Sequence, residues 1–486
     1  MDAVKGDPVT VGTQTNRRWW ALVAVALGTF MTYLDNNVVN VALPSIQRDL
    51  QLSIEGLEWI ASSYILVFAG LLLAGGRIAD VVGMRGVFFG GLAVFTVASV
   101  AAGLAQNQEM LIGARAVQGV GAALLTPASL ALLTQLFPNA RERATAVGIW
   151  GGVGALALAF GPLTGGWLSE HASWGWIFLI NAPIGIATAV VGFLSIPAGR
   201  RGTSRGLDLP GLGASSLALF ALTFALIEGE SRGWTSGSIL AGFAVAAAGA
   251  IAFVIIESRS ANPMMDLSFF RLRLFTGGLL AMGLWAFGVF GIYFYTAIYM
   301  QNVLGFSPTE AGAAFVPMAL VMAVMATVAP RLEARFGAGR TVAAALALMA
   351  VSVAGISSFG EGTTYLDLLP WFLVYGVGGG MLVPLNNVVV GALPAARAGI
   401  ASGMLNVSRE VFGLLGITIL GALLTNRSNA ATGSELHRYL EGYQFSLVVA
   451  AALVAVGIPI SLWALRSVKP ADEPTAKDEE PMLEPA

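Results

Sequence analysis

The stretch TFMTYLDNNVVNVALP at residues 29–44 decides how the rest of the chain is read. It belongs to an apolar run that begins at Trp19 and lasts about twenty-five residues, enough to cross a bilayer. Asp35 stands near the middle of that run, followed by Asn36, Asn37 and Asn40. A carboxylate at membrane depth costs about 2.5–3.5 kcal/mol on insertion scales, so its helix face should turn toward a polar interior. Two readings follow. Either a neighbouring helix pins the carboxylate for structural reasons, or Asp35 is a proton or cation site. The second is the working expectation.

Composition places the chain in a membrane. Charged residues make up 11% and hydrophobic residues 56%, against about 25% charged in a typical soluble domain. The mean hydropathy is +0.76. The 60 glycines suit helices whose backbones approach closely. The absence of cysteine excludes disulfides and thiolate metal sites. The two histidines, His171 and His437, are expected in connecting segments, so no histidine metal cluster or other cofactor is expected. The net charge of −2 says nothing about partners, and no feature points to nucleic acid. Residues 1–16 are polar, and no small-residue cleavage site follows the first span. That span is therefore expected to stay as a helix rather than leave as a signal peptide.

Fourteen apolar spans are expected, at 19–43, 57–76, 87–105, 110–136, 145–168, 175–196, 209–228, 238–257, 274–300, 309–329, 341–359, 366–392, 399–424 and 443–465. The fold class is all-α and polytopic, with no room between spans for a soluble domain. The tail from 467 to 486, rich in Pro, Glu and Asp, reads as disordered. Basic residues set the orientation. If alternate segments are counted from the inside, the inner set holds 20 of the 26 Lys and Arg, while the outer set holds only Arg48, Arg232, Arg427 and Arg438. Both termini should therefore be cytoplasmic, in the plasma (inner) membrane.

An internal repeat runs through the spans. Gly119-Val120-Gly121, ahead of Pro127, matches Gly376-Val377-Gly378, ahead of Pro384. GRIADVVG (76–83) is echoed by PRLEARFG (330–337), and Pro138 and Arg141 by Pro394 and Arg397. The expected organisation is a cytoplasmic segment 1–18, one half at 19–200, two inserted spans within 201–260, a second half at 261–466 and the tail. Parallel six-span repeats around a midplane site describe a secondary transporter.

Four stretches then narrow the class. They are LDNNVVNVALP (34–44), the loop residues Gly76, Arg77, Ile78, Ala79, Asp80, Gly83 and Arg85, the fourth-span residues Arg115, Gln118, Gly119 and Gly121, and GPLTGG (161–166). In this order they resemble the fourteen-span drug:proton antiporter branch of the major facilitator superfamily, over nearly the whole chain. Val81 stands where that family often has a basic residue, and Ala334 replaces Asp80 in the second-half copy. Asn181, in WGWIFLINAPIG (174–185), belongs to a further stretch typical of the branch, with Gly175 in place of its usual Arg.

Each motif also has a physical reading. Glycines in the 76–85 loop permit a tight turn. Asp80 can meet a helix N-terminus and a nearby Arg, forming a latch on the cytoplasmic side or merely a tight hairpin. Arg115, about one turn into its span, needs a carboxylate, carbonyls or water unless it snorkels to the interface. The resemblance implies a role for it in proton transfer. Gly161, Pro162, Gly165 and Gly166 describe a kinked helix with a bare face, which the resemblance makes a gating element that limits leak. In span 13, Asn406 and Glu410 are four apart and share a face with Arg409. Arg409 and Glu410 diverge by about 100° around the helix, so each is expected to have its own partner. Glu410 is the second candidate acid.

Tyr33, Asn36, Asn40, Tyr64, Trp150, Trp285, Phe287, Phe290, Tyr293, Phe294, Tyr295, Asn386, Asn387 and Asn406 are candidates to line a substrate pocket. Aromatic rings with one or two acids suit a lipophilic cation. The expected function is proton-coupled export of small hydrophobic, cationic compounds by a monomer, with Asp35, Glu410, Arg115 and Arg409 coupling the proton. One alternative keeps the fold and exports a lipid, a self-made antibiotic or another metabolite. A remote one is a non-transporting receptor or a lipid enzyme. The sequence shows no nucleotide loop, metal cluster or Ser-His pair for the latter.

Overall fold

The structure is a computed structural model and describes residues 9–197, 208–260, 263, 266–393 and 398–466. The helices that bear on function are α1 (Val9–Leu50), α2 (Ile54–Val82), α3 (Met84–Gly103), α4 (Gln108–Leu136) and α5 (Ala140–His171). They continue with α6 (Trp176–Ser195, interrupted at Ile180), α7 (Leu209–Ile227), α8 (Gly237–Arg259) and α9 (Arg273–Asn302). The last are α10 (Pro308–Phe336, interrupted at Phe315), α11 (Ala338–Ile356), α12 (Tyr365–Gly391, interrupted after Gly380), α13 (Ala398–Ala430) and α14 (Glu435–Ala464). Among the described residues, 13 of these are long and apolar enough to cross a membrane. The expected span at 145–168 falls in α5, a helix of 32 residues that is not one of the 13. No strand occurs among the described residues. His171 and His437 lie in the end turns of α5 and α14, not in loops.

Local chemistry sets the helix ends. Ser53, Asn107 and Ser434 each accept a hydrogen bond from the backbone N–H three residues on, satisfying a donor that the first turn leaves free. Ser307 and Glu310 form a reciprocal capping box at the start of α10. The two copies of the tight loop end alike. Gly83 after α2 has φ 112° and Gly337 after α10 has φ 82°, a conformation that glycine adopts without strain.

The repeat persists in the packing. A Cβ at Gly119 of α4 would come 2.7 Å from the Tyr64 carbonyl of α2, and one at Gly376 of α12 would come 2.5 Å from the Met318 carbonyl of α10. Gly121 and Gly378 likewise press on the backbones of α3 and α11. The pair α7–α8 is zipped by Gly242 and Gly249 against Ala225 and Ala218, and α7 lies against both α2 and α13. Large apolar side chains such as Val97, Leu194, Leu209, Ile251, Leu320 and Leu366 are exposed, forming the lipid-facing surface such a bundle needs.

The hydrogen bonds described between α1–α6 and α9–α14 lie at the midplane or toward the end where α1 meets α2. At that end Gln301 Nε2 donates to the Val41 carbonyl at 2.7 Å, and the Thr309 N–H donates to Glu170 Oε2 at 3.0 Å. Gly166 of α5 meets the Pro308 backbone, and Gly312 of α10 meets the Pro162 backbone, so these two helices touch main chain to main chain.

Candidate functional site

Asp35 is fully buried and is the centre of a polar network. Arg115 Nη1 donates to its Oδ2 and, at 3.0 Å, to Gln118 Oε1, while Arg115 Nε reaches the Ile60 carbonyl at 3.4 Å. Gln118 Nε2 donates to Asp35 Oδ1 at 3.0 Å and to Ser99 Oγ at 2.6 Å. Asn181 Nδ2 donates to the same Oδ1 at 2.8 Å. The Arg115 guanidinium also lies 4.4 Å from the Tyr64 ring centre and 5.6 Å from that of Phe178. Helices α1, α3, α4 and α6 thus converge on one carboxylate. They can do so because Gly119 and Gly121 let α4 approach its neighbours. Desolvating the two charges costs several kcal/mol each, which their attraction and the added hydrogen bonds must offset.

The second acid lies across the seam between the two halves. Arg409 Nε and Nη2 donate to Glu410 Oε1 at 2.9 and 2.6 Å. This corrects the expectation of separate partners: the long arginine side chain folds back onto its neighbour, although the two Cβ atoms point apart. The same guanidinium reaches the Tyr33 hydroxyl at 3.4 Å, joining the two halves. Glu410 Oε2 is buried and has no hydrogen-bond partner among the described residues.

Between the clusters is a cavity of about 210 Å³. Its wall includes Tyr33, Asn36, Asn40, Trp150, Trp285, Phe290 and Tyr293, from the expected pocket set, and Arg115, Arg409 and Glu410, which were expected to couple the proton. Thr29, Asn37 and Tyr375 line it as well. Trp285 Nε1, Tyr293 Oη and Tyr375 Oη are buried without partners among the described residues, so the wall offers three polar groups beside the Glu410 oxygen. Trp150 is held in place by a 2.6 Å bond from its Nε1 to Thr29 Oγ1.

Other candidates fall elsewhere. Tyr64 sits beneath Arg115 and does not line the cavity. Phe294 is fully buried edge-on to Tyr295, with ring centres 4.7 Å apart. Asn406 Nδ2 turns back to the Ser402 carbonyl at 2.9 Å. Asn386 and Asn387, just after the interruption of α12, are exposed and outside the cavity wall. In the loop motif, a Cβ at Gly76 would lie 3.6 Å from Pro127. Arg85 lies over the rings of Phe89 and Phe193 at 5.7 and 5.8 Å. The Asp80 side chain lies outside the described residues, as do Pro394 and Arg397. Gly161 and Gly165 face Asn37 and Val38 of α1, while Pro162 and Gly166 face α10. The GPLTGG run therefore serves two interfaces at once.

Of the groups that hold Asp35, sequence reasoning gave a role to Arg115 and none to Gln118, Asn181 or Ser99, whose hydroxyl accepts from both amides. Gln118 and Asn181 stood inside matched stretches, but Ser99 carried no signal. Glu58, buried in α2, was passed over entirely.

The sequence profile of the Major Facilitator Superfamily matches residues 25–417. The tetracenomycin C resistance and export protein of Streptomyces glaucescens is 36% identical over 417 residues, covering 85% of this chain and 77% of that protein. The multidrug resistance protein Stp of Mycobacterium tuberculosis is 34% identical over 418 residues, covering 86% of this chain and 78% of its own length. Among solved structures, a bacterial homologue of the human lysosomal transporter Spinster, inward-facing and unoccupied, superposes with TM-score 0.67 at 17% identity, over 93% of this chain and 97% of that one.

Proposed function

Since the chain belongs to the Major Facilitator Superfamily and is a transporter rather than an enzyme, we propose that it exports small hydrophobic, drug-like compounds in exchange for protons. The observation that carries this reading is the pair of buried carboxylates, each held by an arginine, on opposite sides of an aromatic cavity between the two halves. Relatives named for antibiotic export and multidrug resistance support it. The end where α1 meets α2 faces outward from the plasma membrane, both termini are cytoplasmic, and the monomer is the working unit.

Asp35 and Glu410 take protons from outside and release them inside. Protonated Asp35 no longer holds Arg115, and protonated Glu410 no longer holds Arg409. Because Arg409 also bonds Tyr33 across the seam, its release alters the contact between the halves. A lipophilic cation fits the free Glu410 oxygen and the faces of Trp285 and Phe290. One proton per monovalent cation is electroneutral. A second draws about 2.3 kcal/mol from each 100 mV of membrane potential.

One observation favours an uncharged, oxygen-rich cargo such as a self-made antibiotic. Both acids already have guanidinium partners, while three polar groups on the cavity wall have none. Export assays in inverted vesicles separate the two, because only a cation-binding site lets lipophilic cations compete. The proton scheme itself is tested with Asp35→Asn and Glu410→Gln in proteoliposomes. Transport driven by a pH gradient should be lost in each, and undiminished transport in both would sink it.

A further inference from the structure

Glu58 is a third carboxylate within the bundle, 2% exposed, with no cation against it among the described residues. It sits on α2 and reaches across the seam between the halves. Tyr295 Oη of α9 lies 3.0 Å from Glu58 Oε1 and 2.7 Å from the Ile417 carbonyl of α13. Three oxygens therefore stand in a row, joined by two contacts of hydrogen-bond length, and each contact needs a hydrogen. The carbonyl can only accept, and the tyrosine has a single hydrogen to give. Donated to the carbonyl at the shorter distance, it leaves the Glu58–Tyr295 contact to be made by a hydrogen on the carboxyl. An ionised Glu58 would set acceptor against acceptor in one of the two contacts. It would also bury a charge without a counter-ion, which is costly enough that such groups neutralise instead. Gly421 of α13 closes the site, since a Cβ there would collide with both Glu58 Oε1 and Tyr295 Oη.

We propose that Glu58 is a proton-binding site in its own right, and that its proton fastens the two halves together at the end where α1 meets α2. The role within a transport cycle rests on the reading above; the proton latch itself does not. When the halves part at that end, Glu58 leaves Tyr295 and Gly421, meets water and gives up its proton to it, becoming a carboxylate with a hydronium ion beside it. Closing requires the reverse, so protons on that side favour the closed form. Its titratable neighbours are an acid and a phenol, and the cations on neighbouring elements have other partners. Glu55 lies one turn earlier on α2, and Tyr439 of α14 lies behind Tyr295. On α4, Arg115 is committed to Asp35, and beyond α7, Glu228 is held by Trp59 and Arg232. Arg427 of α13 pairs with Glu441, Asp49 of α1 accepts from Trp174, and Arg48 meets Ser45.

The chain has no cysteine, so spin labels can be placed at will. Labels on Gln47→Cys and Asn302→Cys report the closed end, where these side chains lie 3.5 Å apart. In the parent, without substrate or gradient, the closed-to-open ratio should fall by up to tenfold per pH unit as pH rises, the limit for one linked proton. Glu58→Gln keeps a donor toward Tyr295 and should stay closed through the pH range over which the parent opens. A parent insensitive to pH, or a Glu58→Gln variant with the parent's pH response, overturns the proposal. Should that variant fail to fold, infrared spectra of the parent serve instead. A protonated-carboxyl band at neutral pH that shifts in Tyr295→Phe supports the latch, and its absence overturns it. The distance change should persist in Asp35→Asn, which separates failure of the latch from failure of the transport scheme.

Discussion

At the scale of single residues, Asp35 and Arg115 behave as one unit. Removing the acid alone leaves a guanidinium buried at 1% exposure without its counter-charge, and breaking such a pair costs about 3–5 kcal/mol. Asp35→Asn should therefore lower the thermal midpoint in detergent as well as abolish transport. Asp35→Asn combined with Arg115→Gln should recover most of the stability and none of the transport. A double variant as unstable as the single one would mean the pair is not the cause. Both residues were legible in sequence because an ionisable group inside an apolar run is costly wherever the chain folds. Their partnership was not legible, since nothing in one dimension says which of several helices will face Asp35. Glu58 was missed for a related reason. Near the start of its span and beside Glu55, it reads as an interfacial acid, and only the reach of Tyr295 from the other half makes it internal. Arg409 and Glu410 misled in the opposite way. Helical geometry fixes where Cβ atoms point but not where a long guanidinium arm ends up.

At the scale of elements, the seal between α5 and α10 combines bare backbone contact with one polar clasp. Gly166 and Gly312 supply the first, and Glu170 supplies the second by accepting from the Thr309 N–H at 3.0 Å. Hydrogen bonding from Thr309 holds the Glu170 carboxyl below its ordinary value. The sign follows from linkage: a depressed carboxyl stabilises the closed form fully above its ordinary value and loses that contribution as pH falls through the depressed one. Strong acid should thus loosen this end in the parent and leave Glu170→Gln unchanged, as read by the same pair of spin labels. A parent that stays closed in strong acid would show that the clasp contributes nothing. The GPLTGG run announced this helix as bare and kinked. The partner helix was hidden, because PTEAGAA (308–314) reads as an ordinary capped helix start.

At the scale of the whole molecule, the two halves and their repeat were visible in matched glycines and loops, whereas the position of the inserted pair was not. α7 lies along the line where α2 meets α13, and Trp59 Nε1 ties it there by donating to Glu228 Oε1 at 2.9 Å. No residue of α7 or α8 lines the cavity. Trp59→Phe, which removes a bond worth about 1 kcal/mol, should lower stability slightly and leave the transport rate at the parent level. A lost rate with normal folding would give the pair a part in the cycle itself. Its placement has a consequence for how cargo arrives. A compound dissolved in the bilayer can reach the centre only between helices, and a six-plus-six bundle has two such fissures, α2 with α13 and α5 with α10. The first is covered by α7, so cargo drawn from the lipid is expected on the α5–α10 flank, away from the end that Gly166 and Gly312 seal.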